Sequence, residues 1–179
     1  MSAGGISSIK TMQLILTGIT EKSLFCEPIK CKLTQMNRQY LKDLAGQYRD
    51  ELLLNVVPFW QKHSKDSEYG GYFTCLGRYG NIFDTDKFIW LQARQVWMFA
   101  TLFNKVESKE EWLDMSLHGA EFLKKFGHDG NLNWYFSLTQ DGKPLIQPYN
   151  IFSDCFAAMA FGQLFTATGE TEYAEIAKL

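Results

Sequence analysis

The stretch Phe88-Ile89-Trp90-Leu91-Gln92-Ala93-Arg94-Gln95-Val96-Trp97-Met98-Phe99-Ala100-Thr101-Leu102-Phe103 carries apolar residues on every helical face and one formal charge, Arg94. A helix that is apolar all round belongs inside a fold, so a buried helix is predicted over 87–104. Its neighbours alternate with it in character. Glu110 to Phe126 reads as amphipathic: Trp112, Met115, Gly119, Phe122, Leu123 and Phe126 face one way, and Glu111, Asp114, His118, Glu121 and Lys125 face another. Glu121 and Lys125 are spaced for an i,i+4 pair. Ile151 to Thr166 is a second, nearly all-apolar helix ended by Thr168-Gly169, and Thr171 to Leu179 begins another amphipathic one. On the N-terminal side, Gln39 to Trp60 is amphipathic through Leu41, Leu44, Tyr48, Leu52, Val56 and Phe59, with Pro58 expected to kink or end it.

Short strands separate these helices. Tyr72 to Leu76 and Asn81 to Phe83 flank Gly77-Arg78-Tyr79-Gly80, and Trp134 to Leu138 precedes a turn at Asp141-Gly142 and Lys143-Pro144-Leu145. Both read as hairpins. Asp84, Thr85 or Asp86 can cap the helix after the first hairpin. Tyr72-Phe73-Thr74 matches Tyr135-Phe136-Ser137, Gly80 matches Gly142, and Phe99 matches Phe161, all at a near-constant offset. One unit is hairpin, apolar helix, amphipathic helix, and such self-similarity marks a repeat architecture. Apolar helices form an inner layer and amphipathic ones an outer layer. The predicted class is all-α, an α/α toroid with the hairpins at one mouth. About two and a half helix pairs are present, so the chain is expected to be the N-terminal part of something longer; an open α-solenoid is the alternative.

Composition is consistent with a packed domain. Hydrophobic residues are 46% and aromatics 15% of 179 residues, with 21% charged and a net charge of −2. The balance argues against nucleic acid as the main partner, and no run approaches the roughly 18 apolar residues of a membrane span. Cys26, Cys31, Cys75 and Cys155 form no CxxC pair and read as buried free thiols of a reducing, cytoplasmic compartment. His63, His118 and His128 have no metal-ligand spacing and are assigned core or surface duty. Residues 1–35 are read as a poorly ordered extension, and 36–179 as a partial toroid domain.

Polar residues in an apolar helix are conspicuous. Arg94 must be paired or face a wet cavity, because an unpaired buried guanidinium costs several kcal/mol. Trp90 lies one turn earlier on the same face. Asp154 is the one formal charge of the second apolar helix, and Gln92 is its repeat partner. A tryptophan platform beside an arginine suits a hydroxyl-rich or carbonyl-bearing ligand, with Trp134 and Tyr135 as further lining. An ion pair between Arg94 and Asp154 would be the structural alternative. Asp66 and Glu68 sit in a Ser/Gly-rich context and read as a solvated loop, although paired carboxylates at the mouth would suit an α/α glycosidase.

Four strings resemble one family: Phe59-Trp60-x-x-His63-Ser64, Gly70-Gly71-Tyr72-Phe73-Thr74-Cys75-Leu76-Gly77-Arg78, Trp90-Leu91-Gln92-Ala93-Arg94-Gln95-Val96-Trp97-Met98 and Ile151-Phe152-Ser153-Asp154-Cys155-Phe156. They are similar to N-acylglucosamine 2-epimerase, also called renin-binding protein, from about Met36 onward. The resemblance implies a six-fold (α/α)6 barrel about twice this length and reversible conversion of N-acetylglucosamine to N-acetylmannosamine in sialic-acid metabolism. It implies no required cofactor, ATP as an activator, a homodimer and, in mammalian members, renin as a partner. By the same resemblance Arg94 contacts sugar oxygens and Trp90 shapes the pocket. Asp154 stands where animal members commonly carry Glu. The two catalytic histidines lie in later repeats, so no catalytic residue and no metal ligand is expected in this chain. The competing class is a non-catalytic homologue that binds a partner.

Overall fold

The computed structural model describes residues 38–146 and 151–178. The expectations for residues 1–35, including Cys26 and Cys31, lie outside the described residues. The chain divides into two compact units, Met1–Glu51 and Leu52–Leu179. The described part of the first is one helix, α1 (Arg38–Glu51), in which no residue is buried.

The second unit begins with a π-helical turn, Leu52–Val56, followed by α2 (Val57–His63). The single helix expected over 39–60 is therefore three segments. Proline has no N–H to offer Leu54, and a wide π turn just ahead of α2 puts Pro58 in that helix's first turn, where the missing donor is harmless. Pro58 neither ends the helical run nor stands in a helix interior.

Next come β1 (Cys75–Leu76), β2 (Ile82–Asp84) and β3 (Lys87–Phe88), then α3 (Ile89–Lys105) and α4 (Glu110–Phe126). The second hairpin is β4 (Ser137–Leu138) and β5 (Pro144–Ile146), and α5 (Phe152–Thr168) and α6 (Thr171–Ala177) complete the order. β1 pairs antiparallel with β2, Cys75 opposite Asp84. The other sheet has the order β3-β4-β5, with Lys87 opposite Leu138 and Ser137 opposite Ile146. The sequence pattern assigned Lys87 and Phe88 to the helix. Instead they extend as a strand, and the Ile89 amide donates to the Phe136 carbonyl at 2.9 Å. This stitches the start of α3 to the second hairpin. None of the three candidate caps is used: Phe88 occupies the N-cap position, and Asp84 accepts from the Asp86 amide at 2.9 Å, which tightens the turn from β2 to β3.

α3 packs against α4 on one side and α5 on the other, and α6 packs on α5. Val96, Phe99 and Ala100 of α3 meet Trp112, Phe122 and Leu123 of α4 and Ala157, Ala160, Phe161 and Leu164 of α5 in one core. α4 turns Glu111, Asp114, Glu121 and Lys125 outward. This is the inner and outer layering that the apolar and amphipathic patterns predict. The Glu121 partner differs from the expected one: Lys124 lies 3.7 Å away, and it also binds Glu172 of α6 at 2.7 Å. Lys125 instead covers the ring of Phe126.

Neither inner helix is buried on all sides. On α3, Trp90, Leu91, Trp97 and Met98 are half-buried and Arg94 is exposed. On α5, Ala157, Ala160 and Leu164 are buried, while Phe152, Met159 and Phe165 are exposed. Small residues let α5 approach α3 closely along one stripe, and the opposite stripe stays open. Cys155 lies on that open side, so this thiol, expected to be buried, is exposed; Cys75 is half-buried, and both are free.

Candidate functional site

The open stripe of α3 forms the floor of a cavity of about 370 Å³. Leu91, Arg94 and Met98 come from successive turns of α3, and Trp60 of α2 and Thr74 of the strand approach stand against them. A chain of hydrogen bonds positions these walls. Gln95 Nε2 donates to Ser64 Oγ, and Ser64 Oγ donates to the Trp60 carbonyl at 2.6 Å, closing the end of α2 over α3. Gln92, wholly buried, holds Tyr72 by both main-chain groups: its Oε1 accepts from the Tyr72 amide at 2.8 Å and its Nε2 donates to the Tyr72 carbonyl at 2.7 Å. The Tyr72 hydroxyl in turn donates to the Met115 carbonyl, and burial pushes this phenol far above its ordinary range. Thr74 follows two residues later, and its buried Oγ1 has no hydrogen-bond partner among the described residues.

Arg94 is the charge in this cavity. The buried, paired guanidinium of the structural alternative is not what forms. Arg94 is exposed, and no ion pair joins it to Asp154 among the described residues. Its Cζ lies 5.9 Å from the Phe156 ring, a cation–π distance. Asp154 is half-buried in the first turn of α5 and lines no cavity described here. Trp90 borders a second, adjoining cleft with Phe136, Phe152 and Phe156, about 450 Å³ in volume. The Trp90 and Phe156 rings are 6.1 Å apart. Trp90 and Arg94 thus share Phe156 as a neighbour but line different cavities, and the tryptophans in the Arg94 cavity are Trp60 and Trp97. Trp60 and Trp97 stand within the family-like strings without an expected role. Their position one helical turn before Ser64 and just after Arg94 is the available signal. Trp134, expected at the mouth, is core: it packs on His128 at 5.0 Å and Phe161 at 5.9 Å.

The principal charged pair lies elsewhere. Asp66, read as part of a solvated loop, is 1% exposed, and Lys87 is wholly buried. Lys87 Nζ donates to Asp66 Oδ2 at 2.8 Å, to the Gln140 carbonyl at 3.0 Å and to the Gly70 carbonyl, so all three ammonium protons are taken. The Phe122 ring lies 4.4 Å below it. Burial pushes the Asp66 carboxyl up, but bonds from Lys87, the Tyr69 amide and Gln140 outweigh this and hold it below the usual carboxylate range. The pair ties the turn before the first hairpin to the turn of the second. Glu68 is exposed, so two opposed carboxylates do not form here.

None of the three histidines lines the Arg94 cavity. His63 packs on the Phe59 ring at 5.1 Å. His118, expected on an outer face, is half-buried and its Nε2 lies 2.9 Å from the Gly71 carbonyl. Burial is the main cause that lowers its pKa, and because a carbonyl can only accept, Nε2–H is the donor. His128 accepts from the Gly130 amide on Nδ1 at 3.0 Å, and burial lowers its pKa as well. Among the described residues, no group of three or more His, Cys, Asp or Glu is placed to hold a metal ion, and no helix is long and apolar enough to cross a membrane.

Comparison with known proteins places this geometry. The family described as N-acylglucosamine 2-epimerase (GlcNAc 2-epimerase) matches residues 71–179. N-acylglucosamine 2-epimerase of Homo sapiens is 42% identical over 139 residues, 75% of this chain and 32% of that protein. Cellobiose 2-epimerase of Eubacterium cellulosolvens is 30% identical over 133 residues, 72% of this chain and 32% of that protein. The solved structure of cellobiose 2-epimerase from Bacillus thermoamylovorans B4167 superposes with a TM-score of 0.70 at 25% identity, covering 76% of this chain and 35% of that one. The chain spans about a third of the length of the curated relatives it matches. Its fold class is the α/α barrel of these epimerases, as the alternation of apolar and amphipathic helices predicts.

Proposed function

This chain belongs to the N-acylglucosamine 2-epimerase family, a family of sugar epimerases, and from that premise we propose that it forms part of the sugar pocket of an enzyme interconverting N-acetylglucosamine and N-acetylmannosamine. The observation that carries this reading is the exposed Arg94 guanidinium in a cavity walled by Trp60 and Trp97, beside a threonine hydroxyl without a partner. Arginine presents five donors in a fixed fork, and indole faces suit the C–H faces of a pyranose or its open chain.

The chemistry follows from the substrate. In the open-chain sugar, C2–H lies next to the C1 carbonyl and is weakly acidic. A base takes that proton from one face, the electron pair moves toward O1, and an acid returns a proton to C2 from the other face. Charge develops on O1, and donors held beside it lower the barrier most. Arg94 is the group of this chain suited to that oxygen. Trp90, whose ring neighbours Phe156, and Asp154, which lines neither cavity, are assigned to the substrate side through the family resemblance. The proton-transfer groups need pKa values near neutrality, which histidine supplies. His63, His118 and His128 are engaged in packing or main-chain hydrogen bonds and do not line the Arg94 cavity, which supports assigning both bases to parts of the family fold outside this chain. The reaction moves a proton and consumes nothing, so no cofactor is required. ATP activation, homodimer formation, renin binding and a cytoplasmic setting accompany this reading through the family resemblance alone.

Calorimetric titration with N-acetylmannosamine tests the reading. Binding is expected, and Arg94→Ala should weaken it by about tenfold or more, the value of a charged hydrogen bond. The isolated chain should not turn over N-acetylglucosamine. Equal affinity of Arg94→Ala and wild type, or turnover by the pure chain, would overturn the assignment.

A further inference from the structure

The strands that join the two repeats are very short. β3 and β4 have two residues each, and Lys87 faces Leu138 across them. So few ladder bonds specify a register weakly, and a slip by one residue is a shift of about 3.4 Å along the strand. The buried charges stand at this junction. Among the described residues, Asp66 and Lys87 form the one ion pair in which both side chains are buried. Both belong to the first repeat, and the second repeat meets them through a single residue. The Gln140 carbonyl accepts from Lys87 Nζ at 3.0 Å, and Gln140 Nε2 donates to Asp66 Oδ2 at 3.1 Å. One residue of the second hairpin turn thus gives an acceptor to the cation and a donor to the anion. A slip of one residue carries both groups out of hydrogen-bonding range while the hairpin still covers the pair. A buried charge that has lost its partners is strongly unfavourable. One repeat later, Asp66 and Lys87 correspond to Asp129 and Asn150 in the sequence, so the paired charges are a feature of the first repeat alone.

We propose that Asp66, Lys87 and Gln140 are a register lock: they admit the second hairpin onto β3 in one alignment and penalise the others, and they specify docking rather than add stability. The apolar residues around them cannot make this choice, because burial of apolar surface is non-directional. The lock reaches the candidate site as well. Lys87 Nζ also holds the Gly70 carbonyl, at the head of the segment that runs through Tyr72 to Thr74 in the wall of the Arg94 cavity. Lys87 itself stands just ahead of α3, the helix that carries Arg94. One ammonium group therefore ties the alignment of the hairpins to the position of that wall.

Hydrogen exchange on the full chain tests the lock. The Ile89 amide, which donates to the Phe136 carbonyl, reports on docking of the second hairpin; the Phe136 amide, which donates to the Ile146 carbonyl, reports on the hairpin itself. Gln140→Leu should speed exchange at Ile89 by about tenfold or more relative to Phe136. Asp66→Asn combined with Lys87→Met removes both charges and keeps the Oδ1 acceptor that the Glu68 and Tyr69 amides use. This double variant should melt well above Lys87→Met alone and close to wild type, because exchanging a whole buried pair for neutral groups is often without cost. Its Ile89 amide should nevertheless exchange as fast as in Gln140→Leu. An Ile89-to-Phe136 exchange ratio at the wild-type level in either variant overturns the lock. A double variant that melts as low as Lys87→Met, or does not fold, overturns it too, since the pair would then serve stability. Should Lys87→Met itself fail to fold, the exchange ratios of the other two variants decide.

Discussion

Two aspartate turns, one ahead of each hairpin, show how similar local chemistry comes to different ends. Asp66 Oδ1 accepts from the amides of Glu68 and Tyr69, each at 3.0 Å, and Asp129 Oδ1 accepts from those of Asn131 and Asn133 at 2.9 and 3.2 Å. Each turn is followed by a matching antiparallel bridge, Lys65 to Tyr72 and His128 to Trp134. Each ends in a hairpin glycine with positive φ, Gly80 at 85° and Gly142 at 88°. Yet Asp129 is exposed, with Oδ2 taking only the Asn133 side chain at 2.8 Å, whereas Asp66 is sealed under the second hairpin with Lys87. Turn formation is set within a few residues. Whether the turn's carboxylate becomes a buried ion depends on what the fold lays over it.

The largest break in this comparison should come from Lys87→Ala. It leaves Asp66 buried and ionised without its counter-charge, which costs about 3–5 kcal/mol. Urea unfolding of the variant should show most of the chain's stability lost, while Asp129→Ala should fall within the scatter of surface substitutions. Equal losses in the two variants would mean that the buried pair adds nothing to the turn.

The hairpin glycines sharpen the comparison at a middle scale. A Cβ at Gly80 would overlap the His63 ring, and at Gly142 it would lie 2.6 Å from Phe126, whereas at Gly130, also with positive φ, it would meet nothing within 4 Å. Gly130→Ala therefore isolates the backbone cost, about 1 kcal/mol. Gly80→Ala and Gly142→Ala should each exceed it by roughly a further 1–3 kcal/mol of steric cost, as overpacking does. Thermal unfolding of the three variants ranks them directly.

The smallest effect is a pH slope. Burial holds the His118 pKa below 6.5 in the folded chain, so protonation favours the unfolded state. Its contribution is fully present above about pH 6.5 and is lost as pH falls through that value toward the folded pKa. Asp66 acts in a separate, more acidic window: its depressed pKa contributes stability above about pH 4 that is lost at lower pH. Stability measured from pH 7.5 to 5 should therefore decline in the wild-type chain and decline less in His118→Gln. Parallel profiles would assign the slope to other groups.

Much of the fold was legible from spacing. The two inner helices, the outer helix between them and both hairpins lie close to where periodicity puts them, because helix and strand patterns are local. The positions of Arg94 and Phe156 on facing helices also follow from the internal repeat. Other features were not legible. The π turn ahead of Pro58 depends on how one helical run accommodates a missing donor. The strand Lys87–Phe88 exists because a hairpin much further along the chain supplies its partner, and an apolar run alone reads as helix. The site was legible in its residue types but not in its partition: Trp90 and Arg94 share a helical face, yet they line different cavities, and Phe156 from α5 lines that of Trp90.

Periodicity and turn chemistry assigned the helices and the hairpin glycines, since each depends on contacts between residues close in the chain. Burial of Asp66 with Lys87, exposure of Arg94 and the separation of the Arg94 cavity from the Trp90 cleft were settled by packing. These depend on the dielectric and the neighbours that distant segments bring to a side chain, and a charge is stable in such a place only when those segments also supply its partners.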